Sequence, residues 1–216
     1  WRCGWWRCGW WRMKIHVASR NPKKLRELAR VLDAAGIDGV ELVSTADVSP
    51  YEEPVENGRT FTDNALIKAR AGAAATGLVT LADDSGLTVD ELGGMPGVLS
   101  ARWSGQHGDD AANNALLLAQ MAEVPNDRRA AAFVSVCALV TPEGAEYVSE
   151  GVWPGLLLRS VVGEGGFGYD PIFAPLDEAA GGRSSAELAP EEKDALSHRG
   201  KALAGLVPVF RELAAG

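Results

Sequence analysis

Leu78-Val79-Thr80-Leu81-Ala82-Asp83-Asp84-Ser85-Gly86 is a short apolar run that ends in two adjacent carboxylates, a hydroxyl and a glycine. Leu, Val and Thr in such a run read as a buried strand. Neighbouring carboxylates repel, so a pair at a strand end calls for a cation or a proton to relieve it. Oxygen-rich sites of this kind suit Mg²⁺, which is usually held by one or two carboxylates and completed by phosphate oxygens. Asp, Ser and Gly are also ordinary turn formers, and a solvated turn is the plainer reading of the same residues.

Outward from this stretch, the order of elements sets the fold class. Upstream, Thr60 and Asp63 form a capping box for an Ala-rich helix that ends near Gly77. Met13 to Ser19 reads as a strand, Pro22 suits the first position of a helix, and Leu25, Leu28, Ala29 and Leu32 recur at helical spacing up to Gly36. Val40 to Ser44 is a second strand, and Asp47 to Arg59 a loop. Downstream come a short extended piece, Leu87 to Val89, and a helix over Asp109 to Ala122. Ala130 to Thr141 and Ala145 to Val152 flank Pro142-Glu143-Gly144 as a hairpin, with Gly155 to Val162 as a third strand. Gly163 to Asp170 is a glycine-dense loop, and Ala186 to Ala215 is mostly helical with breaks near Ser197 and Pro208. Strands alternate with helices early and follow one another later, which predicts an α/β fold on a mixed sheet.

The chain has 216 residues, 46% of them hydrophobic and 23% charged, and a formal net charge of −8. That length supports one sizeable core. The acidic balance argues against a nucleic-acid backbone as partner, so a polyanionic small ligand would need a local basic pocket. No stretch approaches the ~18–20 continuous apolar residues of a membrane span. Residues 1–12 repeat Trp-Arg-Cys-Gly-Trp ahead of Met13. They read as a non-native or unstructured extension, leaving 13–216 as a single domain; a Trp/Arg-rich tail for membrane surfaces or metal is the other reading. Without that extension Cys137 is the lone cysteine, in an apolar run where it reads as a core residue. No disulfide framework or secretory signal is visible, so the expected compartment is the cytoplasm.

Further stretches could carry chemistry. Ser19-Arg20-Asn21-Pro22-Lys23-Lys24 lies where a strand passes into a helix, and free N–H groups and the helix dipole favour a phosphate there. It lacks the glycines of a P-loop, and a capped helix with a basic turn reads equally well. Glu56, in a loop ahead of the Thr60 helix, is either a third carboxylate around a metal or surface charge. Phe167-Gly168-Tyr169-Asp170 offers a flat ring among glycines, either for a base to stack on or to pin the loop to the core. Lys193, Ser197, His198 and Arg199 gather cations and an imidazole at a break between helices. His198 reads as a general base, a structural hydrogen-bonder or, with Arg199, a donor to carbonyl or phosphate oxygens.

The order of these motifs is more specific than any one of them. Ser-x-Asn-x-x-Lys, Glu-x-Gly-x-Thr-Phe, Asp-Asp-Ser-Gly-Leu, Gly-Gly-Phe-Gly-Tyr-Asp-Pro and Ser-His-Arg-Gly follow one another from Met13 to the C-terminus. In this the chain resembles the inosine triphosphate pyrophosphatase family. The resemblance implies an elongated mixed β-sheet with helices on both faces and two lobes around a central nucleotide cleft, in a homodimer. It implies Mg²⁺-dependent hydrolysis of deaminated purine nucleoside triphosphates to monophosphate and pyrophosphate. Asp84 would be the general base and a metal ligand, with Asp83 and Glu56 beside it. Ser19, Arg20, Asn21, Pro22, Lys23 and Lys24 would hold the triphosphate. Ser85, Phe167, Gly168, Tyr169, Asp170, Lys193, His198 and Arg199 would contact the rest of the substrate. Asp63 and Val55 stand where relatives often carry Glu and an acidic residue. A Maf-type pyrophosphatase with another base preference and a nucleotide sensor without turnover are the competing readings.

Overall fold

The computed structural model describes residues 13–19, 22–177 and 180–215. The expected readings of residues 1–12, Arg20 and Asn21 lie outside the described residues, as do those of the side chains of Pro22 and Lys23.

Parallel pairing comes first. Strand β1 (Met13–Val17) is followed by helix α1 (Pro22–Ala34), strand β2 (Val40–Ser44), helix α2 (Phe61–Thr76) and strand β3 (Val79–Val89). β1 pairs in parallel with both β2 and β3, each crossover carrying a helix. Helix α3 (Asp110–Gln120) then leads into β4 (Ala130–Val140), β5 (Glu146–Leu157) and the short β6 (Phe173–Pro175). These pair antiparallel, giving one mixed six-stranded sheet in the order β2-β1-β3-β4-β5-β6. Helices α4 (Pro190–Leu196), α5 (His198–Gly205) and α6 (Val207–Ala215) complete the described chain.

Local chemistry places several boundaries where the sequence expects them. Thr60 Oγ1 accepts from the Asp63 N–H at 3.1 Å, and Asp63 Oδ2 accepts from the Thr60 N–H at 3.0 Å. Gly77, at φ 65°, closes α2 in the left-handed conformation. Ser197 divides α4 from α5 and caps the latter, its Oγ accepting from Gly200 N–H.

Two expectations need correction. Asp83 to Gly86 is neither a turn nor a strand end: β3 runs unbroken for 11 residues because β4 pairs with it from Thr80 to Val89. Gly155 to Val162 is no separate strand, since β5 continues to Leu157 and β6 is the next to pair. Pro154 looks like a breaker, but its carbonyl faces the β6 side, where Leu176 N–H meets it at 3.0 Å. Its missing N–H therefore costs no bond to β4. The last helical break falls at Leu206, and Pro208 sits in the first turn of α6, where proline is tolerated.

Side chains of a strand alternate between faces. On one face of β3 and β4, Leu81 and Leu139 join an apolar cluster with Ile15, Leu28 and Phe210. Further along the same face, Leu87 and Phe133 join another with Trp153 and Phe173. Between these clusters the same face carries Asp83, Ser85 and Ser135. This polar interval between two apolar cores is the floor of the cleft. The opposite face is covered by α2, whose Ala65, Ala69 and Ala73 pack on Ala82, Val136 and Ala138.

Candidate active site

The strand period sends the two neighbouring carboxylates to opposite faces. Asp84 points to α2, where its Oδ2 accepts from Asn64 Nδ2 at 3.0 Å and its Oδ1 lies 3.7 Å from Lys68 Nζ. Asn64 and Lys68 are one helical turn apart, so α2 presents both to the same point. Asn64 Oδ1 also accepts from Gly58 N–H at 2.8 Å, which ties the preceding loop to the helix. That loop brings Glu56 in, and Lys68 Nζ donates to Glu56 Oε2 at 3.1 Å. Burial raises the Asp84 carboxyl above its ordinary range; Lys68 and Asn64 oppose this, while Glu56 and Asp83 add to it.

Asp83 points to the other face. Its Oδ1 accepts from Lys24 Nζ at 2.7 Å and its Oδ2 from Arg199 Nε at 3.3 Å. Burial would raise its pKa, but the Lys24 and Arg199 charges outweigh burial and hold the carboxyl well below the usual range. Arg199 Nη2 also donates to Ser85 Oγ at 3.2 Å.

The glycine-dense loop is fastened from beneath. Asp170, buried, accepts from Phe167 N–H at 2.8 Å and Ser185 Oγ at 2.9 Å, and pairs with Lys193 Nζ. Gly166 sits at φ 76°, and a Cβ there would lie 2.1 Å from Asp170 Oδ2, so only glycine fits. Tyr169 Oη donates to the Ser100 carbonyl, and Gly168 N–H donates to Asp110 Oδ2. Phe167 remains 50% exposed, with Lys193 Nζ 5.0 Å and Arg199 Cζ 6.0 Å from its ring centre. Of the two aromatics expected to pin this loop, Tyr169 does so together with Asp170, while Phe167 is half-exposed beside Lys193 and Arg199.

His198 is buried and stacks on Phe133 with centroids 4.9 Å apart and planes 11° apart. Burial, with Arg199 and Lys193 nearby, lowers its pKa well below the ordinary histidine value. A neutral ring, with one donor and one acceptor nitrogen, follows at pH 7. Its Nδ1 is buried and has no hydrogen-bond partner among the described residues.

Two adjoining cavities flank the Lys24–Asp83 pair. The larger, about 490 Å³, is lined by Ser85, Phe167, Tyr169, Lys193, His198 and Arg199 among others. The smaller, about 220 Å³, is lined by Ser19, Tyr51, Glu53, Glu56, Lys68 and Asp83 among others. Lys24 borders both. Every site residue expected from the sequence whose side chain is described, except Asp84, lines one of these two cavities; Asp84 lies on the α2 side, beside the Lys68 that borders the smaller one. Asn64, Lys68 and Asp110 are not among the residues to which the sequence points. Asn64 and Lys68, polar and four apart on an Ala-rich helix, carried a usable signal. Arg26 and Arg30, which reach the larger cavity from α1, also escaped notice.

The donor set bears on a metal. Among the described residues, no three His, Cys, Asp or Glu side chains gather around one point. Glu56 and Asp84 nevertheless share a cation already, the Lys68 ammonium. Two carboxylates beside an open cavity fit a hard cation whose remaining ligands come from phosphate and water.

Comparison with known proteins agrees with this geometry. The profile of the Ham1 family matches residues 15–209. The chain is 67% identical over 205 residues to a dITP/XTP pyrophosphatase of Corynebacterium efficiens, covering 94% of this chain and 99% of that protein. It is 62% identical over 203 residues to the dITP/XTP pyrophosphatase of Mycobacterium bovis, covering 94% and 98%. The crystal structure of a nucleoside-triphosphatase, or dITP/XTP pyrophosphatase, from Mycobacterium abscessus superposes with a TM-score of 0.77 at 66% identity, over 92% of this chain and all of that one. The Ham1 protein of Staphylococcus aureus superposes with a TM-score of 0.82 at 32% identity, over 93% and 99%. A match this long, with the motifs converging on one cleft, means that the chain belongs to the Ham1 family.

Proposed function

We propose that this protein hydrolyses deaminated purine nucleoside triphosphates, such as dITP and XTP, to the nucleoside monophosphate and pyrophosphate. The observation that carries the reading is Asp84: a largely buried carboxylate of raised pKa beside Lys68, next in the chain to an Asp83 that gathers Lys24 and Arg199. The names of relatives at 62–67% identity supply the substrate class. Phe167 stacks on the base, and His198 and Arg199 face its 6-carbonyl as donors. An adenine amino group would leave those donors unpaired, at ~1–3 kcal/mol per buried group. Ser19, Lys24 and Lys193 hold phosphate oxygens, and the resemblance adds Arg20, Asn21, Pro22 and Lys23 to the same role. Ser85, Gly168, Tyr169 and Asp170 shape the wall between base and sugar.

Water attacks the α-phosphorus in line, and Asp84 orients it and accepts its proton. Asn64 fixes the carboxylate, and Lys68 offsets the charge it shares with Glu56. Asp84 and Glu56 would hold Mg²⁺, which when bound lowers the pKa of coordinated water and neutralises phosphoryl charge. A panel of nucleoside triphosphates in ¹⁸O-water tests this. Preference for ITP, dITP and XTP over ATP and TTP is expected, with label in the monophosphate. Label confined to pyrophosphate would place the attack at the β-phosphorus and overturn the mechanism; preference for another base would favour the Maf-type reading, and no turnover a sensor.

A homodimer and a cytoplasmic location belong to the same proposal. No described helix is long and apolar enough to cross a membrane. Val148, Val152 and Leu156 lie on one face of β5, 45%, 41% and 40% exposed, which supports a second copy as cover. Val152→Asp is expected to shift the protein to monomer in light scattering; an unchanged mass would place the interface elsewhere.

A further inference from the structure

Asp83 adjoins Asp84 in the chain and yet meets entirely different partners. Both of its oxygens are engaged, one by Lys24 at 2.7 Å and the other by Arg199 at 3.3 Å. All three side chains are largely buried, with relative exposures of 25%, 11% and 9% for Lys24, Asp83 and Arg199. Lys24 arrives from the first turn of α1 and Arg199 from the first turn of α5. These helices stand far apart in sequence and converge only here.

We propose that Asp83 is a positioning residue, holding Lys24 in place toward the substrate's phosphates and Arg199 toward its base, and is not a third metal ligand. Two cations brought this close repel each other, and a buried carboxylate between them removes that repulsion. The trio keeps one net positive charge at the boundary of the two cavities, where a polyanion crosses from one to the other. A metal on Asp83 would sit against the charges of Lys24 and Arg199, while Asp84 and Glu56 stand ready on the α2 side. The inference rests on the reading that the cleft binds a nucleoside triphosphate.

Binding without metal separates the alternatives by sign. In EDTA, where turnover is not supported, ITP, ATP and TTP are titrated against the full-length wild type, Asp83→Asn and Asp83→Glu, with tryptophan fluorescence as readout. The positioning role predicts that Asp83→Asn weakens nucleotide binding about tenfold, the size of a charge-assisted hydrogen-bond network. With Mg²⁺ restored, KM should rise more than kcat falls. A metal ligand predicts the reverse in EDTA, because loss of a negative charge leaves anion binding unchanged or tighter; that result overturns the proposal. If Asp83→Asn does not fold, Asp83→Glu decides. It keeps a carboxylate for a metal but displaces both cations, so weakened metal-free binding supports the positioning role and wild-type binding overturns it. If the wild type binds ATP or TTP in place of ITP, the substrate reading falls while the Asp83 comparison is made on the bound nucleotide. If no nucleotide binds, both fall.

Discussion

Asp84→Asn is expected to lower turnover by ~10²–10⁴, the range for a lost general base. The amide keeps the shape and the contact with Asn64 Nδ2 through its oxygen, but it cannot take a proton from water. The variant should remain folded, because Asp84 is not part of either apolar cluster. Nucleotide affinity should fall far less than turnover, since Lys24, Lys193 and Phe167 are untouched. Single-turnover kinetics with direct binding measurements separates the two. Near-normal turnover would move the base role elsewhere on the α2 side, with Glu56 the next carboxylate to test.

Gly151→Val is expected to damage both stability and activity from a position outside the cleft lining. A Cβ at Gly151 would lie 2.0 Å from the His198 carbonyl oxygen and 2.6 Å from Ala202 N. Helix α5 therefore rests directly on the backbone of β5, and any side chain there must lift it. Overpacking of this kind costs ~1–3 kcal/mol, seen as a lower urea midpoint. Because α5 begins with His198 and Arg199, a shift of about an ångström should reduce kcat/KM by roughly 10²-fold. A variant with wild-type kinetics would mean that α5 is not held where the Gly151 contact places it.

What the sequence revealed and what it hid follow the range of the interactions involved. The Thr60–Asp63 box and the Ser197 break are made by residues within one turn of each other, so their signals are complete in the local sequence. The Gly163–Asp170 loop was legible as a loop, but that Asp170 is its anchor depends on Ser185 and Lys193 arriving from elsewhere. Asp83 and Asp84 drew attention as a pair, yet the pairing is of sequence alone. Their separation onto two faces follows from β4 continuing beside them, which no local feature announces. Lys68 and Asn64 were hidden by the alanines around them, although their spacing alone could have suggested a shared polar face.

The register of β3 against β4 therefore decides more than packing. Gly86 is the point that locks it: a Cβ there would sit 2.3 Å from Ser100 Oγ, and that hydroxyl in turn accepts from Leu87 N–H at 3.0 Å. A slip of one residue would send every side chain of β3 to the opposite face. Asp84 would then face Lys24 and Arg199, and Asp83 would face Asn64 and Lys68, with composition, charge and sheet all preserved. Such a molecule would be folded but chemically miswired, so the choice of strand register during folding is also the choice of which carboxylate meets Lys24 and Arg199 and which meets α2.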